Sequence, residues 1–461
     1  MNKLGAAREA DLGKESIGRL LFQLATPAIL AQIVNVLYNM VDRMYIGHIP
    51  DIGRDALTGV GVTMPFIMAI SAFAALVSMG GAPRASIMMG RGDKEQAEKV
   101  LGNCTTGLVV IALLLTSVVL VFGEQILGVF GASENTIGYA WGYMRIYALG
   151  TIFVQLALGL NAFINAQGYA RIGMLTVVIG AVCNIILDPV FIFVFDMGVQ
   201  GAALATILSQ GVSCIWILRF LTGRHSQLKI RRANLRIRLD ILLPCVALGL
   251  SPFIMQFTES VLSVCFNTSL RSYGGDIAVG AMTILTSVMQ FSMLPLQGLT
   301  QGAQPIVSFN YGAGNIDRVK KAFRLLLCAA IVYAGLIWAT SMLFPQLFAA
   351  IFTDDAELMA FTQWAMRIYM AASIIFGVQV ACQQTFIALG NAKTSVFLAL
   401  LRKVILLIPL IFILPMFFEN KVMAVFLAEP VADFIAVSVT ATLFFRQYRT
   451  LQARPAAAAE K

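Results

Sequence analysis

The sequence predicts an all-α polytopic membrane protein with twelve transmembrane helices, and three observations support this class. Of the 461 residues, 59% are hydrophobic and 12% are charged, and that charged share is about half the share in an ordinary soluble domain. Apolar runs long enough to cross a hydrocarbon core of about 30 Å recur along the whole chain. A constant shift in numbering also aligns the second half of the chain with the first. Composition therefore fixes the broad class before any motif is considered.

The apolar runs divide into twelve candidate spans, numbered here in chain order. Each is long enough to cross the bilayer, some of them with tilt. The first apolar run is too long for the core of a signal peptide, so we expect it to be retained as a helix. The predicted spans are residues 20–46, 57–79, 97–122, 139–164, 172–195, 201–221, 239–266, 278–299, 319–344, 363–388, 394–417 and 422–445.

The basic residues lie between apolar runs rather than on one soluble face, although the formal net charge is +9. We therefore expect membrane lipid, and no nucleic acid, as a partner. With both termini on the cytoplasmic side, most of the 33 Lys and Arg residues fall in cytoplasmic segments, as the positive-inside rule requires. This assignment counts Lys393, Arg402 and Lys403 with the loop between spans 10 and 11. The expected product is a multi-pass protein of the plasma membrane with cytoplasmic N- and C-termini.

An internal repeat divides the chain into two halves. A shift of 222 residues places Gly80 on Gly302 and Gly90 on Gly312, and it also places Gly168 on Gly390. Six spans per repeat is an even number, so the halves have the same orientation and are related by an axis along the membrane normal. Parallel repeats of this kind are typical of transporters that rock about a central cleft. The predicted segments are a cytoplasmic N-terminal segment 1–16, an N-lobe 17–222, a basic cytoplasmic linker 223–238, a C-lobe 239–446 and a cytoplasmic tail 447–461.

Carboxylates inside the spans of the N-lobe are the first candidate functional residues. Asn184 and Asp188 are four residues apart, so they share one helix face, just before Pro189. Asp42 in span 1 and Thr206 in span 6 lie at similar depth, in the outer half of the same lobe. A carboxylate at the centre of a membrane helix costs about 2.5 kcal/mol or more, so it usually faces the bundle interior and is functional. The alternative is that Asp188 only pairs with a neighbouring helix and stabilises the packing.

Two carboxylates in a cleft of low dielectric cannot both remain charged and unpaired. They can take up a proton, or they can share a hard cation such as Na⁺ with oxygens of Asn184 and Thr206. We therefore predict a cation or proton site formed by Asp42, Asn184, Asp188 and Thr206.

The C-lobe carries its own acids, at different positions of the repeat. Glu429 and Asp433 are four residues apart on one face of span 12, beside Pro430, and Glu259 lies in span 7. The repeat places Glu259 on Val34, so this acid belongs to the second half alone. These acids either contribute to function in the cleft or form a polar network that stabilises the packing, and the sequence leaves both alternatives open.

Several short motifs, in this order along nearly the whole chain, resemble the multidrug and toxic compound extrusion (MATE) family, and most of all its MepA/DinF-like bacterial branch. The resemblance implies two six-helix lobes that form a V, and efflux of bulky, often cationic compounds driven by inward Na⁺ or H⁺. It also implies a cation or proton site in the N-lobe, at the four residues named above. The motifs are Tyr38-Asn39-Met40-Val41-Asp42, Gly90-Arg91-Gly92-Asp93, Gly168-Tyr169-Ala170-Arg171, Asn184-Ile185-Ile186-Leu187-Asp188-Pro189, Gly198-Val199-Gln200-Gly201-Ala202-Ala203 and Ala428-Glu429-Pro430-Val431-Ala432-Asp433.

The predicted substrate cleft combines residues from both lobes. Asn35 and Asn161 match family positions that line the N-lobe. One departure from the family concerns span 10, where some relatives have a coupling acid and this chain has none. A coupling site in the C-lobe would then depend on Glu259 or on the pair in span 12. The predicted cleft residues are Asn35, Tyr38, Asn161, Glu259, Gln383, Glu429 and Asp433.

The resulting prediction is a cation-coupled antiporter, not an enzyme, which exports bulky organic cations by alternating access. It is expected to act as a monomer and to need no cofactor besides the coupling ion. The alternative is a flippase or exporter of lipid-linked oligosaccharides with a similar number of helices. Such proteins often line the cleft with Arg or Lys for pyrophosphate, whereas the charge inside the spans of this chain is interpreted as mainly acidic. That difference favours a cationic cargo.

Overall fold

The computed structural model describes residues 10–130 and 132–452, and these residues form helices and loops without a β-strand. Residues 1–9 of the predicted N-terminal segment and residues 453–461 of the predicted tail lie outside the described residues. The α-helices are α1 (Ile17–Gly47), α2 (Gly53–Val62), α3 (Met64–Gly90), α4 (Lys94–Val129), α5 (Ile137–Leu149), α6 (Thr151–Ala166), α7 (Ala170–Pro189), α8 (Gly198–Thr222), α9 (Leu239–Gly312), α10 (Ile316–Leu343), α11 (Pro345–Ala349), α12 (Ala356–Tyr369), α13 (Ser373–Ala388), α14 (Ala392–Leu400), α15 (Ile408–Ile413) and α16 (Lys421–Gln452).

Within the described chain, nine helical stretches are long and apolar enough to cross a membrane, or eleven when each of two bent pairs counts as one span. The longest stretch, α9, has 74 residues, which at about 1.5 Å per residue is far more than one bilayer crossing requires. Its backbone breaks at Gly275, where φ is 65° and ψ is −160°. Its two ends both return to α3, because Cys245 lies against Gly80 and Phe309 lies against Gly90. Hence α9 forms two antiparallel spans, and the predicted all-helical fold with twelve crossings is confirmed.

Two predicted spans are bent rather than straight. Span 4 consists of α5 and α6, which meet at an angle of 58°, and span 10 consists of α12 and α13, which meet at 51°. The first bend falls at Gly150, which separates Leu149 from Thr151. Hydrophobic periodicity does not register such a bend, because both halves remain apolar throughout.

The predicted loop position of Arg402 and Lys403 is wrong. Helix α13 ends at Ala388 and α14 begins at Ala392, so both basic residues lie well inside span 11, in the π-helical stretch Leu401–Leu407. Their exposed fractions are 4% and 6%. The positive-inside count treated every base as a topology signal. It failed here because the acids that neutralise these two bases lie on helices distant in sequence.

The internal repeat is visible in the backbone. Gly92 and Gly314, related by the shift of 222 residues, have φ values of 77° and 74°. Gly168 and Gly390, related in the same way, have φ values of 87° and 77°. A residue with a side chain is strained at such positive φ, which explains glycine in both copies of each turn. The two six-helix lobes are therefore structural repeats, with α1, α7 and α8 of the N-lobe corresponding to the first half of α9, the α14–α15 span and α16 of the C-lobe.

The lobes touch each other at the end of the bundle that carries linker 223–238, here called the basic end. A Cβ atom added at Gly80 would overlap the backbone of Cys245 and Gly249 in the opposite lobe. In the repeat-related contact, a Cβ atom at Gly302 would overlap the backbone of Leu24 and Ala25. Glycine therefore permits backbone-to-backbone packing in both copies of the contact, and this layer closes one end of the space between the lobes.

Two chain segments also cover the basic end, and each docks on helices of a lobe. In the C-lobe, Arg318 Nη2 donates to the carbonyls of Leu12 (3.0 Å) and Glu15 (2.7 Å), which precede α1. In the N-lobe, Asn103 Oδ1 accepts a hydrogen bond from the backbone N–H of Arg238 (2.6 Å), at the end of the linker. The segment before α1 therefore ties the N-lobe to the C-lobe on this side.

Candidate cation site and substrate cavity

A cavity of about 820 Å³ lies between the two lobes. Side chains from both lobes line it, and the glycine contacts at the basic end lie below it. Of the predicted cleft residues, Asp433 is not among its lining residues. The predicted cleft residues that line it are Asn35, Tyr38, Asn161, Glu259, Gln383 and Glu429.

The structure brings the four predicted cation-site residues together beside this cavity. Asn184 Nδ2 donates to Asp188 Oδ1 (3.1 Å) and to Thr206 Oγ1 (3.4 Å). The carboxyl groups of Asp42 and Asp188 lie within hydrogen-bonding range of each other. Asp188 is fully buried, and Asp42, Asn184 and Thr206 are 8%, 2% and 8% exposed. Asn184 and Thr206 line the cavity, and the two carboxyl groups lie behind them.

Three oxygens of this cluster have no hydrogen-bond partner. They are Asp42 Oδ1, Asp188 Oδ2 and Asn184 Oδ1, and all are buried. No Lys, Arg or His of the described chain forms an ion pair with either aspartate. The neighbouring base Arg43 instead points its Nη2 at the sulfur of Met64 (3.3 Å). Buried polar atoms without partners are costly, so this cluster is built to receive a positive charge.

The donor atoms of the cluster indicate which kind of cation fits. All are oxygens, from two carboxylates, one amide and one hydroxyl, and hard oxygen ligands suit hard cations or a proton. Within the described residues, no group of three His, Cys, Asp or Glu side chains comes together as a metal site. A soft transition metal therefore finds no matching ligand set there.

The local backbone explains how Asp188 reaches the cluster. Helix α7 ends at Pro189, and residues Val190–Val194 form a π-helix. Proline has no N–H to donate, so it weakens the helical ladder at this point. π-Helical turns often occur at functional sites, where they redirect side chains. Asp188 occupies the last turn before this irregularity.

Tyrosines around the cluster were missed by the sequence reasoning. Tyr143 and Tyr147 are 3% and 6% exposed, and their rings stack with centroids 6.0 Å apart. The Tyr143 hydroxyl lies within hydrogen-bonding range of Thr206, and that of Tyr38 lies in range of Gln210. The available signal was the spacing of Tyr143 and Tyr147, which places both rings on one helix face.

The acids of the C-lobe, in contrast, are paired with bases. Arg402 Nε donates to Asp433 Oδ1 (2.6 Å) and Arg402 Nη2 donates to Glu429 Oε1 (3.0 Å). Lys403 Nζ donates to Glu259 Oε1 (2.7 Å). The side chains of Arg402, Glu429 and Asp433 are at most 5% exposed, whereas that of Glu259 is 55% exposed.

Gln383, a predicted cleft residue, is held by neighbouring helices. Its Nε2 donates to Ser251 Oγ (2.7 Å) and to the carbonyl oxygen of Ser395 (2.9 Å). Its Oε1 has no hydrogen-bond partner. The amide therefore ties α9, α13 and α14 together and leaves its acceptor unused at the cavity wall.

Comparisons with known proteins agree with this architecture. The MatE family model matches residues 27–190 and 252–413. The structure is similar to the MATE multidrug transporter DinF-BH, solved in complex with a ligand, with a TM-score of 0.88, 32% identity and coverage of 97% of this chain and 99% of that chain. It is also similar to an outward-facing multidrug resistance MATE family transporter of the MOP superfamily, with a TM-score of 0.89, 22% identity and coverage of 96% and 98%.

Curated relatives give the same family. Multidrug export protein MepA of Staphylococcus haemolyticus (strain JCSC1435) is 22% identical over 93% of this chain and 94% of its own length. Multidrug export protein MepA of Staphylococcus aureus (strain N315) is 24% identical over 87% of this chain and 88% of its own length. With the family match extending over both lobes, this chain belongs to the MATE family of transporters and resembles its MepA/DinF-like branch.

Proposed function

We propose that this protein is a cation-coupled antiporter of the plasma membrane that exports bulky organic cations by alternating access. The relatives named above are multidrug exporters, and DinF-BH was solved with a ligand bound. The cavity volume of about 820 Å³ falls within the range of about 300–1,000 Å³ typical of sites for drug-sized ligands. The protein acts as a monomer in membrane lipid, with both termini cytoplasmic and the basic end facing the cytoplasm.

The proposed coupling site is the N-lobe cluster, where Na⁺ or a proton binds at Asp42, Asn184, Asp188 and Thr206. One observation carries this assignment: three buried oxygens without partners converge there, from Asp42, Asp188 and Asn184. A cation or proton satisfies these atoms, and no base of the described chain does so in its place.

Antiport follows if the coupling cation and the cargo stabilise different arrangements of the lobes. Cation uptake neutralises the N-lobe carboxylates and changes how α1, α7 and α8 pack near Pro189. A ligand shifts a conformational equilibrium only by its difference in affinity for the two states. Cargo in the cavity and the cation behind its wall then favour opposite states, and the glycine contacts at the basic end must separate during the cycle.

The alternative, a flippase of lipid-linked oligosaccharides, requires basic residues that are free to bind pyrophosphate. The cavity does contain bases, Arg402 and Lys403, so the charge inside the spans is less acidic than the sequence suggested. Both bases, however, are already paired with acids. A cationic cargo therefore remains the better fit.

The proposal is tested by efflux of an ethidium-type dye from reconstituted vesicles, with Na⁺ and pH gradients imposed separately. Asp42→Asn and Asp188→Asn remove a charged ligand, an interaction worth about 1.5–3 kcal/mol, which corresponds to a loss of about 10- to 150-fold in cation affinity. We expect both variants to lose gradient-driven efflux. Asp276→Asn, at an exposed acid, is the matched control and should retain it. Wild-type efflux in both N-lobe variants, at equal protein content, would refute the site.

A further inference from the structure

The polar clusters of the two lobes lie on equivalent helices of the repeat. In the N-lobe they involve α1, α7 and α8. In the C-lobe they involve the first half of α9, the span that contains the π-helix Leu401–Leu407, and α16. The shift of 222 residues places Arg402 on Gly180 and Lys403 on Ala181. The same region of each lobe therefore concentrates acids, but only the C-terminal copy supplies bases.

The acids of the two clusters differ in how they are satisfied. In the N-lobe, Asp42 and Asp188 each retain a buried oxygen without a partner. In the C-lobe, no side-chain oxygen of Glu429 or Asp433 is among the buried unpartnered atoms of the described residues. One guanidinium accounts for the difference, because Arg402 contacts both carboxylates at 3.0 and 2.6 Å.

Arg402 is held as a fixed part of the wall. Its guanidinium carbon lies 4.6 Å from the centroid of the Phe376 ring, in a cation–π contact. Its side chain is 5% exposed. Arginine remains charged under all physiological conditions, so this positive charge does not come and go. Arg402 and Glu429 nevertheless line the cavity, so a soluble cation has a route to the place that the guanidinium fills.

We propose that Arg402 is a tethered counter-cation that permanently occupies, in the C-lobe, the position that a mobile cation takes in the N-lobe. Arg402 thereby determines that cation coupling passes through the N-lobe alone. This inference rests on the proposed antiport function, and it deepens that function by naming the residue that excludes a second coupling site. It predicts that removing the guanidinium converts Glu429 and Asp433 into a site that needs a soluble cation.

The test uses the purified full-length protein with the N-lobe site disabled by Asp42→Asn/Asp188→Asn. The readout is the thermal unfolding midpoint in NaCl against choline chloride, and from pH 5.5 to pH 8.5. In this background we expect no dependence on Na⁺ or on protons. Adding Arg402→Met should create stabilisation by NaCl, by low pH, or by both, and further addition of Glu429→Gln/Asp433→Asn should abolish it. A role of Arg402 in packing alone would not produce this ion dependence.

The outcomes separate the inference from the proposed function, because every variant in this test lacks the N-lobe site. An Arg402→Met protein that folds only in NaCl or at low pH supports the inference. An Arg402→Met protein that neither NaCl nor low pH stabilises or rescues overturns it. If Arg402→Met cannot be purified, the parent variant still decides the matter: a Na⁺ response in Asp42→Asn/Asp188→Asn that Glu429→Gln/Asp433→Asn removes would show that the intact C-lobe binds Na⁺, and would overturn the inference.

Discussion

The two lobes use their buried carboxylates differently. The N-lobe keeps Asp42 and Asp188 close together without an ion pair, and the C-lobe ties Glu429 and Asp433 to Arg402. An unpaired buried carboxylate lowers stability, whereas breaking a fully paired one is strongly destabilising because it leaves a buried charge uncompensated. The comparison indicates that the N-lobe gives up stability for ion uptake, and that the C-lobe provides a fixed wall against which the N-lobe works.

The largest expected effect is on stability, and it comes from Arg402→Met in the otherwise unchanged chain. Removing one partner of a buried ion pair typically costs about 3–5 kcal/mol, and here the loss exposes two carboxylates to each other. Asp188→Asn should instead change the free energy of unfolding by no more than about 1 kcal/mol, because it removes a charge that has no ionic partner. Equilibrium unfolding in detergent micelles measures both.

Lys403→Met is the control for this prediction. Its partner Glu259 is 55% exposed, so solvent screens the pair, and we expect a loss of about 1 kcal/mol or less. Equal losses for Arg402→Met and Lys403→Met would show that burial of the triad does not set its energy. A large destabilisation by Asp188→Asn would break the comparison between the lobes.

A smaller effect is expected at the hydroxyl of the N-lobe cluster. Thr206→Ala removes one neutral oxygen and should cost about 1 kcal/mol, which corresponds to about a fivefold loss of cation affinity. Thr105→Ala is a matched control, because Thr105 is equally buried and makes the same kind of bond to the carbonyl four residues earlier. Cation-concentration dependence of dye efflux measures the difference. An unchanged affinity in Thr206→Ala would remove this residue from the site.

The sequence predicted the parts of this molecule that depend on local pattern. Apolar runs indicated the twelve crossings, and the fixed shift in numbering indicated the two lobes. The spacing of Asn184 and Asp188, with the depth of Asp42 and Thr206, placed four residues that the structure brings together. Their role in cation binding stays a prediction.

The parts that the sequence did not predict depend on contacts between distant residues. Arg402 is 27 residues from Glu429 and 31 from Asp433, and Lys403 is 144 residues from Glu259. A base inside an apolar run looks like a loop signal until its acid partners are known. The bends in spans 4 and 10 were missed for a related reason, because bending changes packing without changing hydrophobicity.

The most direct test of the central claim compares gradient-driven dye efflux in vesicles after each lobe is neutralised in turn. The N-lobe variant is Asp42→Asn/Asp188→Asn, and the C-lobe variant is Arg402→Met/Glu429→Gln/Asp433→Asn, which removes the charged triad without leaving a charge unpaired. The account predicts that the N-lobe variant loses its response to the imposed Na⁺ or pH gradient and that the C-lobe variant keeps it. Loss of the response in the C-lobe variant, with its retention in the N-lobe variant, would contradict the account.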